Sequence, residues 1–409
     1  MPAHAFSVRD FGAAADGATL DHAAFNRAID AAADAGGGAV VVPAGRYLCG
    51  TIRLRSNVTL HLEAAARVVA TTDLSQYTQY GSSKWNRALV LLDGVRDAAI
   101  TGEGTLDGNK VYDPTGEERM RGPHAVVLGR CGHVDIRGVT LHDAANYAVM
   151  IYESDDVDIR HVRFRGGWDG VHARGVVGRP CQRISVSHCD FSCGDDAIAG
   201  RYWDDFVITH CTIRSSCNGV RLIGPATRFV IHGCLFLGPC AHEHRTSGRT
   251  NHLAGILLQP GSWDPTTGDL DHVLITDNTM HNVATPLAVY TKPGNRTGAI
   301  TVDRLTATGV YECAVSVESF AEGPIDRVSL RNLDVTFTPA AAATTANIAV
   351  EVPHVGTRLL PAWALYASRV HTLRCEHARF TLPVGDPRQP VRCVDVGEYI
   401  DHDVDCRVG

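Results

Sequence analysis

Three aspartates lie in two short acidic motifs that are about one repeat apart. The first motif is Gly167-Trp168-Asp169-Gly170, and the second is Cys193-Gly194-Asp195-Asp196-Ala197-Ile198-Ala199. If the repeat places the motifs side by side, Asp169 and Asp196 lie one coil apart, with Asp195 next to them. Like charges this close repel, so the pKa of one carboxyl group should rise. Carboxylates gathered in this way indicate a functional site and favour acid/base chemistry on a sugar bond.

An alternating apolar pattern recurs along the chain and would position these motifs. Copies begin at Val134, Val157, Ile184, Phe206, Phe229, Val273, Ile300 and Val328, and a looser copy begins at Val370. The first five copies are 22 to 27 residues apart, and the step from 229 to 273 is 44, close to two periods. Alternation is typical of strands, and a fixed period of this length is typical of a solenoid. The pattern predicts an all-β parallel β-helix.

Two sets of residues recur at fixed places in these copies. Polar residues stand 12 places after four successive starts, which predicts one column: Asn146, Asp169, Asp196 and Asn218. The sixth pattern position holds Cys189, Cys211 and Cys234, followed by Asn278. Residues in register on successive coils stack about 4.8 Å apart. We expect the cysteines to form an interior ladder and to bind no metal, since they lack a C-x-x-C spacing.

The first 50 residues differ from the coils. Residues 21–35 read as a helix with Asp21 as its N-cap and Gly36-Gly37-Gly38 at its end. A helix there would cover the open end of the solenoid and block edge-to-edge aggregation. Residues 1–50 should form this cap and the first strands, and residues 51–409 the coils, with inserted loops near 240–270. We expect one domain over residues 1–409.

Composition limits the partners. The 409 residues carry a net charge of −7, with 38 basic and 45 acidic side chains, which argues against binding to nucleic acid through phosphates. No apolar run is long enough to cross a membrane. The amino terminus shows no secretory signal, so we expect a cytoplasmic protein with reduced thiols, although a trimmed secreted chain would look the same. We expect a carbohydrate substrate and no cofactor; the oligomeric state stays open.

The chain resembles glycoside hydrolase family 28, the polygalacturonase-like right-handed parallel β-helix enzymes. The opening segment Val8-Arg9-Asp10-Phe11-Gly12-Ala13 is similar to that family's, as is Gly102-Glu103-Gly104-Thr105-Leu106-Asp107-Gly108. Gly194-Asp195-Asp196-Ala197-Ile198-Ala199 is similar to its Gly-Asp-Asp-Cys-Ile-Ala motif, while Trp168-Asp169-Gly170 matches Asn-Thr-Asp-Gly only at Asp and Gly. The resemblance implies an inverting hydrolysis with Asp195 as general acid. Asp169 and Asp196 would orient and deprotonate the attacking water.

Two departures from the family pattern concern the substrate. Asn218 replaces the histidine of Gly-His-Gly, and Leu257-Leu258-Gln259 aligns with the Arg-Ile-Lys segment that holds the galacturonate carboxylate. Losing those cations removes charge-assisted bonds to an acidic sugar. We therefore expect a substrate other than plain polygalacturonate: a neutral sugar, or an acidic, pectin-like one held by different cations. Arg221 and Lys292 are candidate replacements.

The remaining candidates are binding residues around the acidic motifs. The full set of predicted substrate-binding residues is Asn218, Arg221, His172, Trp168, Trp203, Gln259, Trp263 and Lys292. The aromatic members could stack on sugar faces or simply pack in the core, and the charged ones could be solvated surface groups. His242-Glu243-His244-Arg245 and Arg249 lie in an inserted loop that could wall a cleft.

Other functions stay open beside a glycosidase. A polysaccharide lyase or epimerase could use the same scaffold, and so could a non-catalytic carbohydrate-binding β-helix, because fold does not settle function. A calcium site is a further alternative for the clustered carboxylates.

Overall fold

The computed structural model describes residues 5–81, 86–312, 314–338 and 358–409. The chain divides into two compact units: Met1–Gly175 with Arg179–Gly194, and Val176–Gly178 with Asp195–Gly409. The prediction of one domain over residues 1–409 stays a prediction. Within the described residues, no helix is long and apolar enough to cross a membrane.

The first unit consists of short strands and one α-helix. Its strands are β1 Ala5–Ser7, β2 Asp16–Leu20, β3 Gly38–Val42, β4 Gly45–Cys49, β5 Ile52–Arg53, β6 Val58–Leu62, β7 Ala66–Ala70, β8 Ala88–Asp93, β9 Arg96–Gly102, β10 Thr105–Asp107, β11 His124–Gly129, β12 Gly132–Arg137, β13 Thr140–His142, β14 Val149–Tyr152, β15 Asp155–Arg160, β16 Arg163–Arg165, β17 Val171–Arg174, β18 Cys181–Ser187 and β19 Asp190–Cys193. Helix α1 spans His22–Asp34, and 3₁₀ turns occur at Val8–Phe11, Leu74–Gln76 and Glu117–Arg119.

These strands form three parallel ladders, one on each side of a coil. One ladder runs β1, β3, β6, β9, β12, β15, β18. A second runs β2, β4, β7, β10, β13, β16, β19. The third runs β5, β8, β11, β14, β17. Val134 pairs with Val157, and Val157 with Ile184, so the predicted register of these copies is confirmed.

Helix α1 packs against β1, β3, β5 and β6 of the first coils, as predicted for a cap. Its buried residues recur every three or four positions, which gives one apolar stripe: Ala24, Phe25, Ala28, Ile29 and Ala32. Asp21 stands at the N-cap but makes no capping hydrogen bond. Its carboxylate accepts instead from the backbone N–H groups of Ala14 and Ala15, at 2.7 and 3.1 Å, and so ties the amino-terminal segment to the helix.

The second unit has longer strands. They are β20 Ile198–Arg201, β21 Trp203–Thr209, β22 Thr212–Ser215, β23 Val220–Leu222, β24 Ala226–His232, β25 Leu235–Leu237, β26 His252–Leu258, β27 Gly268–His281, β28 Val283–Thr291, β29 Asn295–Thr297, β30 Ala299–Val310, β31 Val315–Ser319, β32 Ile325–Phe337, β33 Ala362–Leu382 and β34 Gln389–Val408. The ladder that begins with β20 continues through β23, β26, β28, β31, β33 and β34.

The pairing in this unit corrects two details of the predicted repeat. Phe229 pairs directly with Val273, so the 44 residues between them form one coil with inserted loops and not two periods. The insertions are residues 238–251 and 259–267, on either side of β26. Val328 pairs with Leu373, so the looser last copy begins three residues after Val370. The other starts, from Phe206 to Val328, pair in the predicted order.

Residues in the left-handed backbone conformation bend the long strands at the corners of the coils. β27 turns at His272 and Asp277, β30 at Arg304 and β32 at Asn332, all with φ between 51° and 57°. Asn, Asp and His adopt this conformation more readily than most other residues do. The apolar residues between corners point inward, and stacked rings such as Phe164 on Phe191, with centroids 4.3 Å apart, fill the core of the first unit.

The cysteine ladder is confirmed as core packing. Cys189, Cys211 and Cys234 are each about 2 % exposed, and Cys234 N–H donates to Asn278 Oδ1 at 2.9 Å. All twelve cysteines in the described part of the chain are free thiols. Both units are therefore stacked parallel coils around an apolar interior, and the predicted parallel β-helix fold is confirmed; its right-handedness stays a prediction.

Candidate active site

Asp169 lies in the turn that leads into β17. Its carbonyl accepts from Ala148 N–H at 2.9 Å, which places Asp169 opposite Tyr147. The predicted alignment of Asn146 with Asp169 is therefore wrong by one residue. The strand residues Val149 and Val171 pair with each other. Val149 stands 15 residues after its pattern start at Val134, whereas Val171 stands 14 residues after its start at Val157, so the two counts differ by one.

A chain of side chains fixes the Asp169 carboxylate. His172 Nδ1 lies 2.7 Å from Asp169 Oδ2, and Arg174 Nε–H donates to His172 Nε2 at 3.0 Å. Because a guanidinium can only donate, Nε2 is the acceptor and the neutral ring carries its proton on Nδ1. His172 therefore donates to Asp169, and the Tyr147 ring stacks on it with centroids 4.4 Å apart.

This arrangement corrects two predicted substrate contacts. His172 is 4 % exposed and uses both ring nitrogens within the protein, so it orients Asp169 and does not reach toward a sugar. Trp168 is 1 % exposed because the Arg121 guanidinium covers its ring at 3.6 Å. The sequence reasoning missed Tyr147, Arg121 and Arg174. The last of these could have been found, since residues two apart on a strand share a face.

Asp195 and Asp196 lie in the turn that leads into β20. Asp196 Oδ1 accepts from the backbone N–H and from Nδ2–H of Asn218, both at 2.9 Å. Arg221 Nη1 lies 3.5 Å from Asp196 Oδ2. Ala197 N–H donates to Asn218 O at 3.0 Å, and Ile198 pairs with Val220, so the predicted register of Asp196 with Asn218 is confirmed. Asp196 is thus a buried carboxylate of fixed orientation.

Asp195 is more accessible than Asp196. Its side chain is 14 % exposed, and its Oδ1 lies 3.6 Å from His244 Nε2 of the 238–251 loop. Its carbonyl accepts from Ser215 Oγ–H at 2.7 Å, which fixes the backbone of the turn. Of the two adjacent carboxylates, Asp195 is therefore the one better placed to exchange a proton with a bound molecule.

Donor atoms of Asp195, Asp196 and Cys217 lie within 4.8 Å of one another, and within the described residues they form the one such set of three. Burial raises the pKa of the Cys217 thiol well above its usual range, and metal ligation requires the thiolate. Arg249 Nη2–H donates to Cys217 Sγ at 3.0 Å. With Arg221 at Asp196, these groups already have cationic neighbours, so the set fits a divalent cation poorly.

Two cations follow Asp196 along the ladder that begins with β20, and the 259–267 loop after β26 carries an exposed aromatic ring. The Arg221 guanidinium lies 5.7 Å from the Trp263 ring centroid, and Trp263 is 49 % exposed on the 259–267 loop. Partial burial, and then the nearby Arg221 charge, lower the pKa of Lys292. Arg201 forms an ion pair with Asp264, which holds the same loop to β20.

Three further predicted binding residues are buried. Trp203 is 1 % exposed and stacks on Phe206 in the core with centroids 4.2 Å apart, so its predicted sugar contact is wrong. Asn218 and Gln259 have no exposed surface, so neither side chain is available to a ligand. Asn218 instead orients Asp196. The meeting of Asp169 with Asp195 and Asp196 stays a prediction, because the first belongs to one unit and the other two to the second.

Acidic residues lie in the turns before β17 and β20, each in its own unit of parallel coils, and comparison with known proteins identifies the family. Residues 5–242 match the model of the family "Rhamnogalacturonase A/epimerase, pectate lyase-like". This is more than half of the chain, and the chain belongs to that family. The resemblance to polygalacturonase-like enzymes is thereby confirmed.

The similarity to individual proteins agrees with this family. A probable polygalacturonase of Vitis vinifera is 27 % identical over 51 % of this chain, and a polygalacturonase of Malus domestica is 28 % identical over 70 %. The chain spans 46 % and 62 % of the length of those two proteins. The solved structure of a hyperthermoactive exopolygalacturonase from Thermotoga maritima is similar at a TM-score of 0.57 and 18 % identity, covering 98 % of this chain and 92 % of that one. That likeness shows the fold.

Proposed function

We propose that the protein is a glycoside hydrolase that cleaves O-glycosidic bonds of a pectin-like oligo- or polysaccharide with inversion. The observation that carries the proposal is the pair of adjacent carboxylates with different surroundings. Asp196 is buried and held by Asn218 and Arg221, whereas Asp195 is partly exposed beside His244. Neighbouring carboxyl groups in different environments can divide acid and base roles between them. The relatives named as polygalacturonases support the same activity.

In the proposed reaction Asp195 protonates the leaving glycosidic oxygen as the bond to the anomeric carbon breaks. A water attacks that carbon from the opposite face and gives its proton to Asp196 or Asp169. Inversion needs an acid and a base about 6.5 to 9.5 Å apart, with room for this water. His172 supports Asp169 in this role because it holds the carboxylate in one orientation.

We propose an acidic sugar unit next to the cleaved bond. Arg221 and Lys292 supply positive charge on the ladder that follows Asp196. They could replace the two cations of the family's Arg-Ile-Lys segment, which this chain lacks. A guanidinium and an ammonium can pair with a uronate carboxylate. Trp263, with half of its ring exposed, offers a flat apolar face for a sugar ring. This favours a uronate-containing substrate over a neutral one.

The test is a substrate panel with reducing-sugar detection. It should contain galacturonan and rhamnogalacturonan oligosaccharides and neutral pectic side-chain oligosaccharides, assayed with the wild type and with Asp195→Asn. We expect turnover of at least one uronate-containing substrate, and a loss of several orders of magnitude in Asp195→Asn with unchanged circular dichroism. Full activity in that variant would refute the assignment.

Other outcomes separate the alternatives. An unsaturated product that absorbs in the ultraviolet and disappears with a chelator would identify a lyase. A uronate whose C5 configuration changes without chain cleavage would identify an epimerase. Binding of pectic oligosaccharides without turnover, unchanged in Asp195→Asn, would identify a carbohydrate-binding protein.

A further inference from the structure

A histidine from the inserted 238–251 loop approaches the proposed proton donor. His244 Nε2 lies 3.6 Å from Asp195 Oδ1, and the two side chains are only 11 % and 14 % exposed. Solvent screens an interaction between partly buried groups much less than one at the open surface. The contact therefore has the distance and the surroundings to influence the proton on Asp195.

The other ring nitrogen fixes the tautomer of His244. Ser247 N–H donates to His244 Nδ1 at 3.3 Å, and a backbone N–H can only donate. Nδ1 is therefore an acceptor, and the neutral ring carries its proton on Nε2. Nε2 is the atom nearest to Asp195, so the imidazole presents a hydrogen-bond donor to that carboxyl group.

Hydrogen bonds within the loop hold this ring in place. Cys240 N–H donates to Thr250 O at 2.8 Å, and His244 N–H donates to Arg249 O at 2.9 Å. Gly248 N–H closes the turn on His244 O at 2.8 Å, where Gly248 adopts φ 67°. His244 is thus fixed at the base of a short closed turn.

Side chains fasten the same loop to the segment that precedes Asn218. Arg249 Nε–H donates to Ser216 O at 2.7 Å, and its Nη2–H donates to Cys217 Sγ at 3.0 Å. Ser216 Oγ–H donates to His242 O. The backbone that places Asn218 against Asp196 therefore also places His244 against Asp195.

Asn218 cannot serve Asp195 at the same time. Its Nδ2 group donates to Asp196 Oδ1 at 2.9 Å and to Cys217 Sγ at 3.4 Å, and its Oδ1 accepts from Ala254 N–H at 3.2 Å. The amide is thus used on both sides. The two adjacent carboxyl groups have separate supports, an amide for Asp196 and an imidazole for Asp195.

We infer that His244 is a positioning residue that stabilises the Asp195 carboxylate as it forms during bond cleavage. Asp195 gives its proton to the leaving oxygen, the water oxygen bonds to the anomeric carbon, and the base takes the proton of that water. His244 keeps its Nε2 proton throughout and donates to the new carboxylate. A donor placed where charge develops accelerates the step. This inference depends on the proposed function.

Other groups face the pair within the described residues. Asp196 lies beside Asp195 with Arg221 Nη1 at 3.5 Å, and the Arg249 guanidinium lies at Cys217. Burial raises the pKa of the Cys217 thiol, which therefore stays neutral. These groups are the same in the wild type and in a variant that changes only one member of the pair.

The direct test is an NMR titration of the Asp195 carboxyl carbon, assigned by the signal lost in Asp195→Asn. Removing the donor 3.6 Å away in His244→Leu should raise the pKa of this carboxyl group by about one pH unit, because its carboxylate form loses a hydrogen bond. An unchanged pKa would overturn the inference. This measurement needs no turnover, so its failure is distinct from failure of the proposed activity.

Kinetics provide the second test. His244→Leu should lower kcat about 100-fold with little change in KM. It should also shift the alkaline limb of the kcat/KM profile to higher pH, because a carboxylate that loses a donor is a weaker acid. His244→Gln, whose Nε2–H can replace the ring donor, should recover much of kcat. His242→Gln, the same change two residues away, is the matched control. Wild-type kcat and an unshifted profile in His244→Leu would overturn the inference.

Discussion

Two buried histidines make each unit of the fold sensitive to acid. His124 in the first unit and His252 in the second are 2 % and 0 % exposed. Burial, and then the charges of Arg174 and Arg121, lower the pKa of His124 to about 3. Burial lowers the pKa of His252 to about 4. Both rings are therefore neutral in the folded protein above about pH 5.

The size of the effect follows from linkage. The ordinary pKa of histidine is about 6.5, so below that value the unfolded chain binds a proton that the folded ring does not. Stability is complete above pH 6.5 and falls as the pH drops toward the folded pKa. Between pH 7.5 and 5.5, each histidine should remove about 1.3 kcal/mol from the unfolding free energy of its unit.

Urea unfolding at pH 7.5 and at pH 5.5 measures this loss. His252→Leu removes the titrating group and keeps an apolar side chain of similar size. Its unfolding free energy should therefore fall with pH by about 1.3 kcal/mol less than that of the wild type. His272→Gln, at a side chain that is 72 % exposed, is the control and should keep the full dependence. If His252→Leu keeps the full wild-type pH dependence, the reasoning is wrong.

Three further single variants and one double variant test the proposed cleft and the fold. Trp263→Ala should raise KM about 5-fold with kcat within about twofold, because the lost stacking is worth about 1 kcal/mol; an unchanged KM would remove Trp263 from the site. Lys292→Met should weaken binding of acidic oligosaccharides but not of neutral ones, measured by calorimetry, and equal losses for both would contradict a carboxylate contact. Arg358→Met should destabilise the second unit by about 3–5 kcal/mol in urea unfolding, because it leaves the fully buried Glu318 carboxylate without its partner. Glu318→Leu added to Arg358→Met should recover most of that loss, and a double variant no more stable than the single one would contradict the explanation.

The repeat itself was predictable from sequence because strand pairing preserves alternation. The starts at Val134, Val157 and Ile184 pair as expected, since each coil keeps the same inward-facing side chains. The column of Asn146 with Asp169 failed because one turn is a residue shorter than the turn before it. Counting residues from the start of a strand pattern misplaces every residue that follows such a change in turn length. Only the backbone pairing of the strands reveals the change.

A site residue could be predicted from the sequence where its residue type was chemically informative and the repeat spacing also gave its correct register. Asp196 with Asn218 is such a case, because the two strands that follow them pair with no insertion. Trp168 and Trp203 failed because an aromatic ring near an acidic motif can face inward as easily as outward, and sequence does not show what covers it. His244 was foreseen only as part of a loop wall. Its contact with Asp195 depends on loop hydrogen bonds that no spacing rule describes.

The configuration of the first product tests the account most directly. Proton NMR should follow the anomeric signals during cleavage of an uronate-containing oligosaccharide, at times short enough to precede mutarotation. A hydrolase that uses Asp195 as acid and a carboxylate-activated water should release the anomer opposite to that of the cleaved bond, and Asp195→Asn should release almost none. A product that retains the original configuration, or an Asp195→Asn enzyme that works at the wild-type rate, contradicts the account.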